Sequence, residues 1–160
     1  MIVREMTEAD LPAVLRLEEA LFPEDAWSER MFRDELGQRA YTRYYVLAEE
    51  APKALIGYAG LAAAGGTGDV QTIGVRHGHW GRGVGAALLT ALLTEADTRG
   101  CTEVFLEVRA DNERAKKLYR RFGFEEVGVR KRYYQPSGVD AIVMCRYADR
   151  AGALREAHGG

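Results

Sequence analysis

"GHWGRGVGAALLTALL", residues 78–93, places Gly81, Gly83 and Gly85 at alternate positions and runs straight into an apolar helical pattern. Inside a helix, glycine costs about 0.5–1 kcal/mol relative to alanine. Three of them at a helix start mark a place where bare backbone is useful. The first N–H groups of a helix have no intrahelical partner and carry a partial positive charge. Phosphates bind there, and missing Cβ atoms allow a close approach. Residues 81–86 therefore read as a pyrophosphate cradle built on Gly81, Arg82, Gly83, Val84, Gly85 and Ala86, with Arg82 adding charge. The alternative is a flexible loop with close helix packing.

Two familiar phosphate loops are excluded. Residues 81–86 formally match G-x-G-x-x-A, but in a dinucleotide-binding fold those glycines turn directly after the first strand, with several parallel strands to follow. Here the seven-residue loop "RHGHWGR" (76–82) intervenes, and too little chain remains. No Gly-Lys-Ser/Thr completes a Walker pattern.

Upstream of the glycines, "MIVREM" (1–6) predicts a strand, and Thr7 offers a cap for a helix whose stripe is Leu11, Val14, Leu15, Leu17 and Leu21. "FPEDAW" (22–27) breaks it; Ser28 caps a second helix that Gly37 can end. "RYYVLAEE" (43–50) and "ALIGYAGLAAA" (54–64) are strands joined by the hairpin turn "APK". "GGTGD" (65–69) is a turn cluster before the strand "DVQTIGV" (69–75). In the glycine helix, Val84, Leu88, Ala91 and Leu92 share a face. "TEVFLEVR" (102–109) is a strand. Asp111 or Asn112 caps a helix with Ala115, Leu118, Tyr119 and Phe122 on one side. "FEEVGVRKRYYQ" (124–135) and "VDAIVMCRY" (139–147) are final strands around the turn "PSG". The order β-α-α-β-β-β-α-β-α-β-β predicts a mixed α+β sheet in one domain, residues 1–148, with 149–160 as a flexible tail.

The chain has 160 residues, 47% hydrophobic and 29% charged, with net charge −2. That describes a soluble domain with no global field toward nucleic acid or membrane. The basic runs "ERAKKLYRR" and "VRKRYY" read as a solvated face or a patch for an anionic ligand. Cys101 and Cys145 read as buried free thiols, and no metal spacing is present. No stretch reads as a signal peptide or membrane span, so a cytoplasmic protein is expected. His77 and His79 read as exposed loop residues, with a metal or ligand site as the alternative reading of this H-x-H pair.

"TIGV" (72–75), "GRGVGAALL" (81–89), "LEVRADNERAKKLYRRFGF" (106–124) and "RKRYYQPSGVDAIVM" (130–144) together resemble the GNAT acetyltransferase superfamily. The resemblance covers about residues 2 to 147. It is nearest to the ribosomal-protein-alanine N-acetyltransferases (RimI-like). "LEVR-x-x-N-x-x-A-x-x-L-Y-x-x-x-G-F" and "R-x-x-Y-Y" carry most of its specificity, and "FPEDAWSER" (22–30) resembles the substrate-side loop. The resemblance implies a twisted, mostly antiparallel sheet of about seven strands with about four helices, splayed between strands 4 and 5. It implies acetyl-CoA as cosubstrate, its pantetheine along the backbone of Ile73, Gly74 and Val75, its pyrophosphate on residues 81–86, and a contact from Asn112. Two departures stand out: Trp80 replaces the usual Gln or Arg, and "RHG" stands where an Asp-Pro turn is common.

Acetyl transfer to an amine needs a neutral amine, a donor for the developing oxyanion and a proton for the leaving thiolate. At pH 7.4 about a fifth of free α-amines are neutral, against roughly one lysine in a thousand. An ordinary carboxylate therefore suffices as base for an α-amine. By resemblance Glu107 takes that role, and strand alternation places it with Phe105 and Arg109. A carboxylate among apolar residues in a cleft is expected to hold its proton more firmly. Tyr119 is the acid by the same resemblance, and the Val75 N–H the oxyanion donor. Trp27, Glu29, Arg132, Tyr133 and Tyr134 are expected to grip a peptide N-terminus. The expected acceptor is the N-terminal alanine of a small-subunit ribosomal protein, with no metal, nucleic acid or membrane involved, and a monomer or weak dimer. The alternatives are another acceptor (lysine, other N-termini, a small amine), a non-catalytic coenzyme-A-binding module and, more distantly, a nicotinamide oxidoreductase.

Overall fold

Alternating strands and amphipathic helices in this order need a sheet with helices on its faces. The computed structural model describes residues 1–148 other than Gln38 and Pro52. The expected tail 149–160 and the centre of the "APK" turn lie outside the described residues. The elements are β1 (Ile2–Glu5), α1 (Leu11–Leu21), α2 (Glu29–Leu36), β2 (Arg43–Glu50), β3 (Ala54–Ala64), β4 (Thr67–Val75), α3 (Val84–Thr98), β5 (Glu103–Arg109), α4 (Glu113–Arg121), β6 (Glu125–Arg130) and β7 (Ala141–Tyr147). One 7-stranded sheet runs β1-β2-β3-β4-β5-β7-β6. β4 and β5 are parallel, whereas β1/β2, β2/β3, β5/β7 and β6/β7 are antiparallel. The mixed α+β sheet is as expected. The β4–β5 ladder covers only Thr67↔Glu103 to Asp69↔Phe105, consistent with a splay between these strands. Among the described residues no helix is long and apolar enough to cross a membrane.

Three local expectations are corrected. Thr7 precedes a 3₁₀ turn (Glu8–Asp10), its N–H donating to Asp10 Oδ2 at 2.8 Å, and α1 proper begins at Leu11 with Pro12 in its first turn. The "GGTGD" turn shrinks to Gly65–Gly66, both at positive φ; Thr67–Asp69 are strand because β5 supplies a ladder for them. β6 stops at Arg130, so Tyr133 and Tyr134 lie in the following loop.

The described chain groups into two compact units. One comprises Met1–Ala62 with Val70–Glu95; the other comprises Ala63–Asp69 with the chain from Ala96 onward. The first is built on Met6, Leu11, Val14, Leu17, Phe32, Tyr45, Leu47 and Tyr58. Ser28 Oγ caps α2 by accepting from the Met31 N–H at 3.2 Å. Gly37 ends that helix at negative φ, so its C-cap is not a left-handed one. In the second unit β5 alternates half-buried and buried residues, with Val104, Leu106 and Val108 on the buried face.

Glu18 on α1 is 2% exposed. It accepts from the Tyr58 hydroxyl and, through Oε2, from the Trp27 N–H at 2.9 Å. Burial pushes its carboxyl up, opposed by these two hydrogen bonds. A folded-state value above the unfolded one gives stability that is full below the unfolded value and lost as pH rises through the folded value. Glu18→Gln removes this titration. As pH rises from about 4.5, the stability gap in chemical denaturation should move in the variant's favour; a gap that stays constant contradicts the assignment.

Candidate functional site

In the first unit the loop between β4 and α3 is built from glycines and three side-chain anchors. Gly78, Gly81 and Gly83 have φ of +88°, +77° and +82°, and a Cβ on any of them meets nothing within 4 Å. The glycines are therefore required by backbone conformation, and space over the loop is open. The Gly83 carbonyl accepts the first α3 bond from the Ala87 N–H at 3.0 Å. This leaves the N–H groups of Val84, Gly85 and Ala86 in the first turn without intrahelical acceptors. Arg82 is exposed beside them. An open helix start entered through Cβ-free glycines, with an arginine beside it, fits an anionic diphosphate.

The strand before the loop behaves differently. The Arg76 N–H donates to the Ile56 carbonyl at 2.8 Å, so by alternation the peptide groups of Val75 and Ile73 point away from β3. Trp80 Nε1 donates to the Val75 carbonyl at 2.8 Å. That carbonyl is therefore engaged, and Trp80 serves the loop's own structure. Gly74 is a packing glycine: a Cβ there falls 2.9 Å from Leu21 Cδ1 and from Tyr58 Cζ and Oη. His79, expected in solvent, is 21% exposed at its side chain, with Nε2 3.0 Å from Glu50 Oε2. His77 is exposed, its ring 4.5 Å from that of Trp80.

Trp27 packs against Phe32 (5.1 Å) and Tyr45 (6.5 Å) in the aromatic core of this unit. Glu29, in the first turn of α2, is exposed and paired with Arg33 at 3.3 Å.

In the second unit Glu107 and the loop after β6 come together. Arg130 Nε lies 3.1 Å from Glu107 Oε1. The Tyr133 hydroxyl is hydrogen-bonded to Glu107, and this bond, ahead of burial, pushes the phenol up. Arg130 lies over the Tyr133 ring at 5.6 Å, Arg109 over Tyr134 at 5.3 Å, and the two tyrosine rings meet edge-on at 5.2 Å. Glu107 is thus a half-buried, paired carboxylate and lacks the apolar enclosure expected for it. Tyr119 is 5% exposed, edge-on to Phe124 at 5.9 Å. Burial, then Tyr134, pushes its phenol up, so it stays protonated at neutral pH. Asn112 Oδ1 caps α4 by accepting from the Ala115 N–H at 3.1 Å. Arg132 sits at φ +52° with its N–H donating to Asp140 Oδ1 at 2.9 Å.

Residues 11–124 match the acetyltransferase (GNAT) family. The chain belongs to that family. It is 42% identical over 146 residues to the N-alpha-acetyltransferase RimI of Mycobacterium tuberculosis, covering 88% of this chain and 89% of that protein. It is also 40% identical over 153 residues to the uncharacterized protein ML0378 of Mycobacterium leprae, but spans only 41% of that longer protein. Among solved structures it resembles the ribosomal-protein-S18-alanine N-acetyltransferase of Escherichia coli, with a TM-score of 0.81 at 29% identity, over 91% of this chain and 92% of that one. This GNAT chain is an N-acetyltransferase, and the family uses acetyl-CoA.

Arg130 is the residue that sequence reasoning missed as a partner of Glu107, although it opens the quoted "R-x-x-Y-Y"; Arg109, which alternation placed with Glu107, lies over Tyr134. The His79–Glu50 pair joins residues 29 apart and left no local signal.

The two kinds of glycine differ in what they tolerate. Gly74→Ala should cost about 1–3 kcal/mol by overpacking against the Tyr58 ring. At Gly83 the cost is backbone strain of about 1–2 kcal/mol for a β-carbon residue. Gly83→Asn should therefore retain more stability than Gly83→Val, because Asn enters the left-handed region more readily. Urea denaturation of the three variants checks both; equal losses for Asn and Val at position 83 contradict the second.

Proposed function

We propose that this GNAT chain transfers the acetyl group of acetyl-CoA to a protein N-terminal α-amino group, its acceptor being the N-terminal alanine of a small-subunit ribosomal protein. The observation that carries the reading is Glu107 beside Tyr133 and Arg130: a half-exposed carboxylate whose partners are themselves exposed can receive an ammonium, and an α-amine asks less of a base than a lysine does. The names of the mycobacterial and Escherichia coli relatives support the same acceptor class. Residues 1–148 act as one catalytic domain. Two free buried thiols, Cys101 and Cys145, suit a reducing cytoplasm.

Bound acetyl-CoA supplies an activated acetyl thioester. The amides of residues 81–86, with Arg82, hold its diphosphate, and the outward N–H groups of Ile73 and Val75 serve the pantetheine side. Gly74 contributes only by letting β4 pack closely. Asn112 fixes the start of α4 and with it Tyr119. Glu107 removes the proton of the incoming ammonium, directly or through a water. That ammonium competes with Arg130 for the same carboxylate, so binding loosens the Arg130 pair and leaves Tyr133 as a remaining donor. The Val75 N–H stabilises the developing oxyanion. Tyr119, kept protonated by burial, donates to the departing sulfur; a low dielectric raises the thiol as well, which eases the transfer. Tyr133, Tyr134 and Arg132 line the acceptor side, while Trp27 fixes the segment that precedes α2 and leaves Glu29 exposed at the start of that helix.

The test is mass spectrometry of peptides bearing N-terminal Ala, Ser or Met, or a single lysine behind a blocked terminus, after incubation with the protein and acetyl-CoA. The Ala peptide should be acetylated fastest and the lysine peptide least. Glu107→Gln and Tyr119→Phe should each lower kcat/KM about 10²-fold or more. Lysine modified as fast as the α-amine, or a fully active Glu107→Gln, defeats the reading.

A further inference from the structure

The loop from Arg76 to Gly83 has three left-handed glycines. Such a segment gains conformational freedom when released, and a flexible cradle must be ordered by its ligand at a cost in affinity. Three side-chain anchors hold this one. Arg76 Nε donates to the Leu55 carbonyl at 2.8 Å, tying the loop entrance to β3. Trp80 Nε1 donates to the Val75 carbonyl at 2.8 Å, folding the loop's middle back onto the end of β4. His79 Nε2 meets Glu50 Oε2 at 3.0 Å, at the end of β2. The His79 N–H also donates to the Arg76 carbonyl at 3.0 Å, closing a tight turn across Gly78.

The His79 contact has an observable cost. Nδ1 of the same ring is buried and has no hydrogen-bond partner among the described residues. A buried polar atom without a partner is uncommon and destabilising. Since carboxylates only accept, His79 donates from Nε2, and the ring is oriented for Glu50 at the expense of its other nitrogen. Trp80 likewise engages a backbone group that a ligand lying along β4 would otherwise meet. Both side chains hold the loop's shape, and neither is a group that a diphosphate needs.

We propose that His79 and Trp80 are positioning residues for acetyl-CoA: by latching the loop to Glu50 and to the Val75 carbonyl, they preorganise the amides of residues 81–86. The proposal rests on the reading of those amides as the diphosphate site. It assigns the two residues no role in the chemical step.

The experiment uses the full chain and the variants Trp80→Phe, His79→Ala, Glu50→Ala, Glu50→Gln and His79→Ala with Glu50→Ala. Each of Trp80→Phe, His79→Ala and Glu50→Ala should raise the acetyl-CoA Kd and KM roughly three- to tenfold, the effect of losing one hydrogen bond. The peptide KM and kcat should change less than about twofold on the same scale. Glu50→Gln keeps an acceptor and should recover part of the loss. The double variant should be no weaker than either of its singles, because they remove one shared interaction. Independently of ligand, amide hydrogen exchange across residues 78–84 of the free protein should speed up in each single alanine variant and in Trp80→Phe, while β1 and α1 exchange unchanged.

Unchanged loop exchange with unchanged acetyl-CoA affinity overturns the latch. A fall in kcat with constant acetyl-CoA KM overturns it too. Additive losses at His79 and Glu50 overturn their pairing. Wild type that fails to bind acetyl-CoA defeats the diphosphate reading itself, and with it the link to the coenzyme. Faster exchange in the variants would then show only a structural latch.

Discussion

A strand whose ladder ends early must place its remaining backbone groups elsewhere, because unpaired buried N–H and C=O groups are costly. β4 is such a strand. It pairs with β5 over Thr67–Asp69 and then continues to Val75. Its inward groups pass to β3, as the Arg76–Ile56 bond records. Its outward groups are left to other partners, and the protein satisfies one of them itself when Trp80 takes the Val75 carbonyl. The outward N–H groups are the ones a ligand lying along the strand can use. Gly74 meets the second demand on this segment: it brings β4 against Tyr58 and Leu21 at a distance no side chain allows. Strand end, glycine loop and helix start thus follow one another along the chain, with outward N–H groups at the strand end and acceptor-free N–H groups at the helix start.

Electrostatics divides differently in the two units. In the first, the buried carboxylate of Glu18 is satisfied by Tyr58 and the Trp27 N–H, and Glu35 by Arg43 and the Tyr45 hydroxyl. These acids have two partners each and hold the aromatic core and the Trp27 segment in register. In the second, Glu107 is shared between a guanidinium that is itself 58% exposed at its side chain and a phenol that is 47% exposed. Partners this exposed give way at little cost, since surface ion pairs contribute about 0–1 kcal/mol. A carboxylate with replaceable partners can accept an ammonium; one locked by buried tyrosines cannot.

Element order was legible because period-2 and period-3.6 patterns survive in short windows. β2, β3 and β5 fall where alternation or a continuous apolar run placed them, and Ser28 and Asn112 cap as their types suggest. What failed was set by distant partners. Thr67–Asp69 look like turn residues, yet a ladder from residues 103–105 makes them strand. Glu18 sits one position past Leu17 in the apolar stripe, and Tyr58, 40 residues away, together with the Trp27 N–H explains it. Lys116 reads as a surface cation but is 8% exposed, with Nζ donating to the Ala110 carbonyl at 2.8 Å. The glycines were legible as a group and not one by one: Gly81 and Gly83 serve φ, whereas Gly74 serves packing.

Trp80 shows why a departure in side chain need not be a departure in function. Recognition through amides is indifferent to the side chains that carry them, so position 80 is free to take on another task provided the loop keeps its shape. In this chain an indole hydrogen-bonded to the preceding strand and edge-on to His77, together with a neighbouring imidazole on Glu50, supplies that shape. A long polar side chain could touch a ligand directly but would hold the empty loop less firmly. One choice adds an interaction when the ligand arrives; the other removes disorder before it does. With three left-handed glycines in eight residues, the second weighs more.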